Sequence, residues 1–250
     1  TLILKYYFIH KGSNIWVSTI VQTAGFPLLL FPIFLRTSNR KPFTNFTPSI
    51  ISLSVVVGLL LGVNNILFSF GTLYLPVSTS SLLLSSQLVF NLILSVLIVK
   101  QKITFQNLNC VILLTLSSVL LALGESHDRT PGQSKLKYFI GFVCTLLAGL
   151  LFSFYLPLME KIYKKVNCYR MIVETQMIME AVATAVAAVG MMVNGGFGEM
   201  KRESRHFDKG VGAYWAVVMC NIVTWQMCFM ATAGMVFLTT SLASGICMTG

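Results

Sequence analysis

Residues Ile50–Leu73 read IISLSVVVGLLLGVNNILFSFGTL, without a single charged side chain. A helix of that length is about 36 Å long, enough to cross the roughly 30 Å hydrocarbon layer of a bilayer. A spanning strand would alternate apolar and polar residues over about ten positions. Here the apolar residues are continuous, so the stretch reads as a transmembrane helix. Outward from it lie six more runs free of Lys and Arg: Trp16–Leu35, Ser78–Val99, Leu108–Leu123, Tyr138–Met159, Met171–Val193 and Val211–Leu238. A further apolar run opens near Ser241 and stops at Gly250. Charged residues make up only 10% of the chain, against about 25% in soluble domains. Much of the surface must therefore face lipid. The fold class is an all-α integral membrane protein, a multi-pass helical bundle.

The net charge of +10 does not point to nucleic acid. All 18 Lys and Arg fall between or at the edges of the apolar runs, where membrane proteins keep them. They also fail to orient the chain. One side holds Arg36, Arg40, Lys41, Lys100, Lys102, Lys161, Lys164, Lys165 and Arg170, and the other side holds as many. The first set, with Lys100 and Lys161, is taken as cytoplasmic. The six cysteines are scattered without metal-ligand spacing and read as small buried hydrophobes. The connectors hold no soluble domain; the longest and most charged is Asn194–Gly210.

Polar side chains inside the runs mark the surface turned away from lipid, because each needs a partner or a wet cavity. Gln87, Asn91 and Ser95 share one helix face at four-residue spacing. Asn64 and Asn65 sit in mid-span, Gln22 precedes Pro27, and Trp225 and Gln226 lie in the last complete run. Such groups serve either as interhelical hydrogen bonds, about 0.6 kcal/mol each, or as ligand contacts. The candidate substrate contacts are Gln22, Asn64, Asn65, Gln87, Asn91, Trp225 and Gln226. The run from Met171 holds Glu174 and Glu180, the latter roughly 14 Å in, near the bilayer middle. An intramembrane carboxyl is a proton-relay candidate or a protonated acid holding a helix interface. With no Lys or Arg inside a run, a strongly anionic substrate lacks its clamp. Carboxamides, hydroxyls and aromatics suit a neutral or cationic heterocycle, edge on amide and face on Trp225.

Packing features are visible too. Gly58-Leu-Leu-Leu-Gly62 is a small-residue contact motif, and the Ala-rich stretch from Ala181 to Ala188 acts alike. Pro27, Pro32 and Pro157 are expected to kink helices. Gly71-Thr-Leu-Tyr74-Leu75 before Ser78 resembles Gly234-Met-Val-Phe237-Leu238 before Ser241, a trace of an internal repeat of the kind inverted-repeat carriers show.

The string Tyr74-Leu75-Pro76-Val77-Ser78-Thr79-Ser80-Ser81-Leu82, with Ser86-Gln87-Leu88 and Phe90-Asn91, resembles the plant purine permeases. So do Trp16-Val17-Ser18, Gln22-Thr23-Ala24-Gly25, Leu156-Pro157-Leu158, Glu174 with Gln176, Thr224-Trp225-Gln226 and Ser241-Leu242-Ala243-Ser244-Gly245. The matches run the whole length. The resemblance implies the drug/metabolite transporter fold: ten helices in two inverted five-helix repeats, with both termini cytoplasmic. By that measure residues 1–123 are the remainder of the first repeat, helices 2–5. Residues 138–250 are an incomplete second repeat, helices 6–8 and the start of 9. The implied function is proton-coupled uptake of adenine, cytokinins and alkaloid-like heterocycles at the plasma membrane, with a proton gradient as energy source and no cofactor. The role of Glu180 rests on its depth alone. Expected partners are the small heterocycle, the lipid bilayer and a second copy in a homodimer; nucleic acid and enzymatic activity are not expected. The alternative is a nucleotide-sugar or other metabolite transporter of the same superfamily. A chain that opens without Met and ends inside an apolar run is read as a piece of a longer protein, inactive by itself.

Overall fold

The computed structural model describes residues 2–35, 43, 46–100, 102, 104–124, 135–166 and 168–249. Arg36, Arg40, Lys41, Asp128, Arg129, Pro131 and Gly132 lie outside them. Every regular element among the described residues is helical. The chain starts with α1 (Leu2–Ile9) and α2 (Ile15–Ile20). Asn14 caps α2: its Oδ1 accepts from the amides of Trp16 at 2.9 Å and Val17 at 3.4 Å, supplying partners that a helix start lacks. A 3-10 turn (Phe26–Leu29) leads into α3 (Leu30–Leu35). Then come α4 (Pro48–Tyr74), α5 (Val77–Val99), α6 (Phe105–Gly124), α7 (Lys135–Tyr163) and α8 (Tyr169–Val193). The amphipathic α9 (Gly196–His206), α10 (Val211–Leu238) and α11 (Ser241–Thr249) complete it.

Among the described residues, five helices are long and apolar enough to cross a membrane: α4, α5, α7, α8 and α10. In α6 the qualifying apolar stretch is shorter, Phe105–Ser117. The outside is apolar as well: Phe31, Leu97, Val193 and Met227 are all more than two-thirds exposed. That surface is stable only against lipid.

Two expectations need correction. The run Trp16–Leu35 is not one spanning helix. After α2 the chain makes successive three-residue turns, Phe26 N to Thr23 O at 3.1 Å and Leu28 N to Gly25 O at 2.9 Å. Pro27 has no amide to donate, and Gly25 lies so close to α10 that a Cβ there would sit 2.7 Å from Gln226 Oε1. Composition stays apolar across the break, so hydropathy does not see it. The cysteines are also not buried: Cys110, Cys220 and Cys247 are exposed, and Cys144, Cys168 and Cys228 are intermediate. In a bilayer the exterior is itself apolar, so a thiol is at home on either side.

The centre of the bundle is α4, which packs most extensively on α7 and α8, with α5 on the other side of α7. The glycine motif explains the α4–α8 contact. A Cβ at Gly58 would lie 2.7 Å from the Met179 carbonyl oxygen, and one at Gly62 would lie 3.1 Å from Val186 Cβ. Ala183 Cα approaches the same spot at 3.4 Å, so the Ala-rich stretch supplies the matching small surface. Gly71 abuts Thr145 in the same way on the α4–α7 side. Pro32 falls in the first turn of α3, where its missing amide costs nothing, and α7 continues through Pro157.

Candidate functional site

A cavity of about 370 Å³ lies between α1, α4, α5, α7 and α10, within the range usual for small-molecule sites. It reaches from the bundle middle, at Asn64, Asn65 and Phe229, to the α4–α5 turn at Leu75 and Val77. Of the residues expected from sequence, Gln22, Asn64, Asn65, Gln87 and Trp225 line it. Gln22 is held in place: its Nε2 donates to Ser18 O at 3.0 Å and Ser69 Oγ at 2.9 Å. Asn64 Nδ2 donates to Asn65 Oδ1 at 3.5 Å. That leaves Asn64 Oδ1 and Asn65 Nδ2 buried without a partner among the described residues. A buried carboxamide atom without a partner is costly, about 1–3 kcal/mol. An adjacent free acceptor and free donor match the edge of a nitrogen heterocycle that offers one of each.

Aromatic rings line the cavity as well. Trp225 meets Phe68 edge-on, with centroids 5.6 Å apart at 86°, and tilts against Phe229 at 5.8 Å. All three rings line the cavity together with Phe152. Their faces are apolar, and their edges brace one another.

Two candidate contacts are elsewhere. Asn91 is fully buried at the far end of α5, where its Nδ2 donates to Ser241 O at 3.1 Å. Ser95, from the same stripe, donates to Asn91 Oδ1 at 3.3 Å and meets Ser241 Oγ at 3.1 Å. Glu160 joins them, accepting from Ser241 N at 2.7 Å at the start of α11, while Lys164 Nζ pairs with it at 2.9 Å. Carboxylate at a helix N-terminus is favourable. Gln226 also turns away from the cavity, and its Nε2 reaches Glu180 Oε1 at 3.5 Å.

The two intramembrane acids differ. Glu174 is bridged to Arg170, one turn earlier, at 3.3 Å. Glu180 has no cation near it among the described residues. Its Oε1 accepts from Gln176 Nε2 at 2.9 Å and from Gln226, and its Oε2 is buried with no partner. Gln176 is fixed in turn by the hydroxyls of Tyr155 at 3.3 Å and Tyr163 at 3.1 Å.

Sequence reasoning missed two charged residues because both lie outside the apolar runs. Lys5 lines the cavity, so the absence of Lys and Arg from the runs does not leave the cavity without a cation. Glu203, read as part of a connector, is buried in α9. It accepts from the hydroxyls of Tyr7 at 2.7 Å and Tyr214 at 3.2 Å, from Asn14 N at 3.1 Å and from Ser13 N. This knot ties α1, α2 and α10 together. Nothing in the charge pattern singles it out, because α9 also carries Glu199, Lys201, Arg202 and Arg205.

Comparison with known proteins agrees with this architecture. The family profile described as purine nucleobase transmembrane transport matches residues 1–250. Probable purine permease 4 of Arabidopsis thaliana is 59% identical over 97% of this chain and 65% of its own length. Purine permease 3 of the same plant is 35% identical over 98% of the chain and 73% of its own length. Purine permease 2 is 36% identical over 98% and 75%. The chain thus spans about two-thirds of the length of the first of these. One solved crystal structure superposes with a TM-score of 0.52 at 12% identity, over 99% of this chain and 94% of that one, which shows a common fold alone. The chain belongs to the purine nucleobase transmembrane transport family, the purine permeases, whose members are membrane transporters and not enzymes.

Proposed function

We propose that this chain binds purine nucleobases and related nitrogen heterocycles, adenine and cytokinins among them, in the cavity beside α4. It would carry them across the plasma membrane by proton-coupled uptake. The observation that supports this reading best is the pair of unengaged carboxamide atoms, Asn64 Oδ1 and Asn65 Nδ2, in a cavity walled by Phe68, Trp225 and Phe229. A planar base satisfies both kinds of surface at once. A phosphorylated ligand such as a nucleotide sugar would need several cations, and among the described lining residues there is one.

The test is direct binding. Adenine titrated into purified protein in detergent should quench tryptophan emission from Trp225, and Trp225→Phe should remove that quench while Trp16 and Trp215 still emit. Asn65→Leu leaves the ring wall intact and should weaken binding about 10- to 100-fold, the effect of one lost buried hydrogen bond. Adenine binding unchanged in Asn65→Leu would take the carboxamides out of the site.

The proposed cycle uses the two ends differently. Gly141 near the start of α7 lies beside Tyr74 and Leu75, so that end of α7 packs on the α4–α5 turn, where Leu75 and Val77 line the cavity. The opposite end is closed by Glu160, Ser241, Asn91 and Ser95. Taking Lys100 and Lys161 as cytoplasmic, the cavity opens outward and this polar contact is the inner gate. Glu160→Gln weakens the acceptor at the head of α11. It should raise the rate at which a cysteine placed at Ser244, buried beside the contact, reacts with a maleimide added from the Lys161 side. An unchanged labelling rate would remove Glu160 from the gate.

A further inference from the structure

We propose that Lys5 makes the cavity select by charge, admitting neutral and anionic heterocycles and turning away cationic ones. This rests on the purine reading of the cavity and narrows it. Lys5 comes from α1, before the first apolar run, and reaches the cavity wall. Its Nζ donates to Thr72 O at 3.0 Å and Leu75 O at 2.8 Å. Those carbonyls lie at the end of α4, where helix carbonyls lack intrahelical partners and the helix dipole favours a cation. The ammonium is therefore held, not roaming. An ammonium has three donors; two are engaged here, and one is left.

No carboxylate among the described residues pairs with this charge. Among the described residues lining the cavity there is no Asp or Glu. Lys11, Lys164 and Arg170 each have a carboxylate partner, whereas no described carboxylate pairs with Lys5. A net positive charge on the wall of a mostly apolar cavity raises the potential throughout it, because low-dielectric walls screen poorly. A cationic heterocycle is repelled, and a base that has lost a ring proton is attracted. One ammonium with one free donor is not a phosphate clamp. The favoured class is thus free bases, including acidic oxopurines, and not nucleotides.

A purely mechanical role, pinning α1 to the α4–α5 turn, is the competing explanation. Charge-matched ligands separate the two. Equilibrium binding to purified protein is measured with adenine, with urate as an anionic purine, and with a purine alkylated at two ring nitrogens to fix a positive charge. The same is done with benzamide, benzoate and benzamidinium, which share one shape and carry no purine edge. Wild-type protein should prefer the anion over the cation in each series by about tenfold or more. Lys5→Gln, which can still donate to the carbonyls, should erase most of that contrast by weakening the anion and strengthening the cation relative to the neutral member. Lys5→Arg should keep the contrast. Equal wild-type binding of benzoate and benzamidinium, or an undiminished contrast in Lys5→Gln, overturns the proposal without recourse to stability. If no purine binds yet the benzoate series behaves as stated, the role of Lys5 stands and the purine reading falls.

Discussion

Gly58→Leu should abolish recovery of folded protein, whereas Gly234→Leu should not. Both glycines sit inside long apolar helices, α4 and α10, so intrinsic helix propensity predicts a mild gain in each. Their surroundings decide otherwise. A Cβ at Gly58 would meet the Met179 carbonyl oxygen at 2.7 Å and Met179 Cα at 3.1 Å. Those are backbone atoms, which cannot rotate aside; α4 and α8 would have to move apart. At Gly234 nothing lies within 4 Å of a built Cβ. Overpacking a tight contact costs about 1–3 kcal/mol even when methylenes are added to a deformable core. In a membrane bundle, where packing replaces the hydrophobic effect as the force between helices, separating the central pair removes the scaffold for Asn64, Asn65 and Glu180 together. Fluorescence-detected size exclusion of tagged variants gives the answer. A monodisperse Gly58→Leu peak at the wild-type position would show that α4 and α8 do not need this contact.

Why hydropathy succeeded for α4, α5, α7, α8 and α10 follows from the solvent. A backbone crossing lipid must satisfy all its hydrogen bonds internally, so each crossing writes a long apolar run into the sequence. The same logic fails at Pro27, because a chain that breaks its helix inside protein packing keeps the apolar composition of one that does not. Polarity within runs is a partial guide: Gln22, Asn64, Asn65, Gln87 and Trp225 line one cavity, whereas Ser52, Ser117 and Thr224 are exposed on the outside. Spacing along a helix cannot say which inward residue faces space and which faces another helix. Gln87 and Asn91 share a stripe, yet Asn91 is consumed by Ser241 of α11, a contact between residues distant in sequence. Gln226 differs from Trp225 by one position and turns to Glu180 instead. Lys5 and Glu203 were invisible for a different reason. Charges beyond the end of an apolar run are ordinarily solvated, and only the path of α1 and α9 back onto the bundle brings these two inside.

Glu180→Gln should uncouple accumulation from the proton gradient while leaving binding in place. Two acids share the α8 helix; Glu174 has a cationic partner, and Glu180 has none among the described residues. Glu174 is engaged by Arg170 at 3.3 Å, and Glu174→Gln should leave coupling intact. Glu180 sits about three turns into α8, with Oε1 bonded to Gln176 and Gln226 and Oε2 without a partner. A carboxyl with one oxygen anchored and the other open can take a proton without breaking an existing hydrogen bond. Gln226 follows Trp225 in sequence, so protonation at Glu180 is one residue removed from the aromatic wall of the cavity. That link lets the state of the acid bias how a base is held. The glutamine variant preserves the acceptor for Gln176 and Gln226 and removes the proton site. In proteoliposomes with a pH difference of one unit, one-to-one symport sustains about tenfold accumulation of adenine. Glu180→Gln should equilibrate adenine across the membrane, with no accumulation, and should show the same exchange at any pH. Accumulation at the wild-type level in Glu180→Gln would move the coupling step to another group, and its loss in Glu174→Gln alone would name that group.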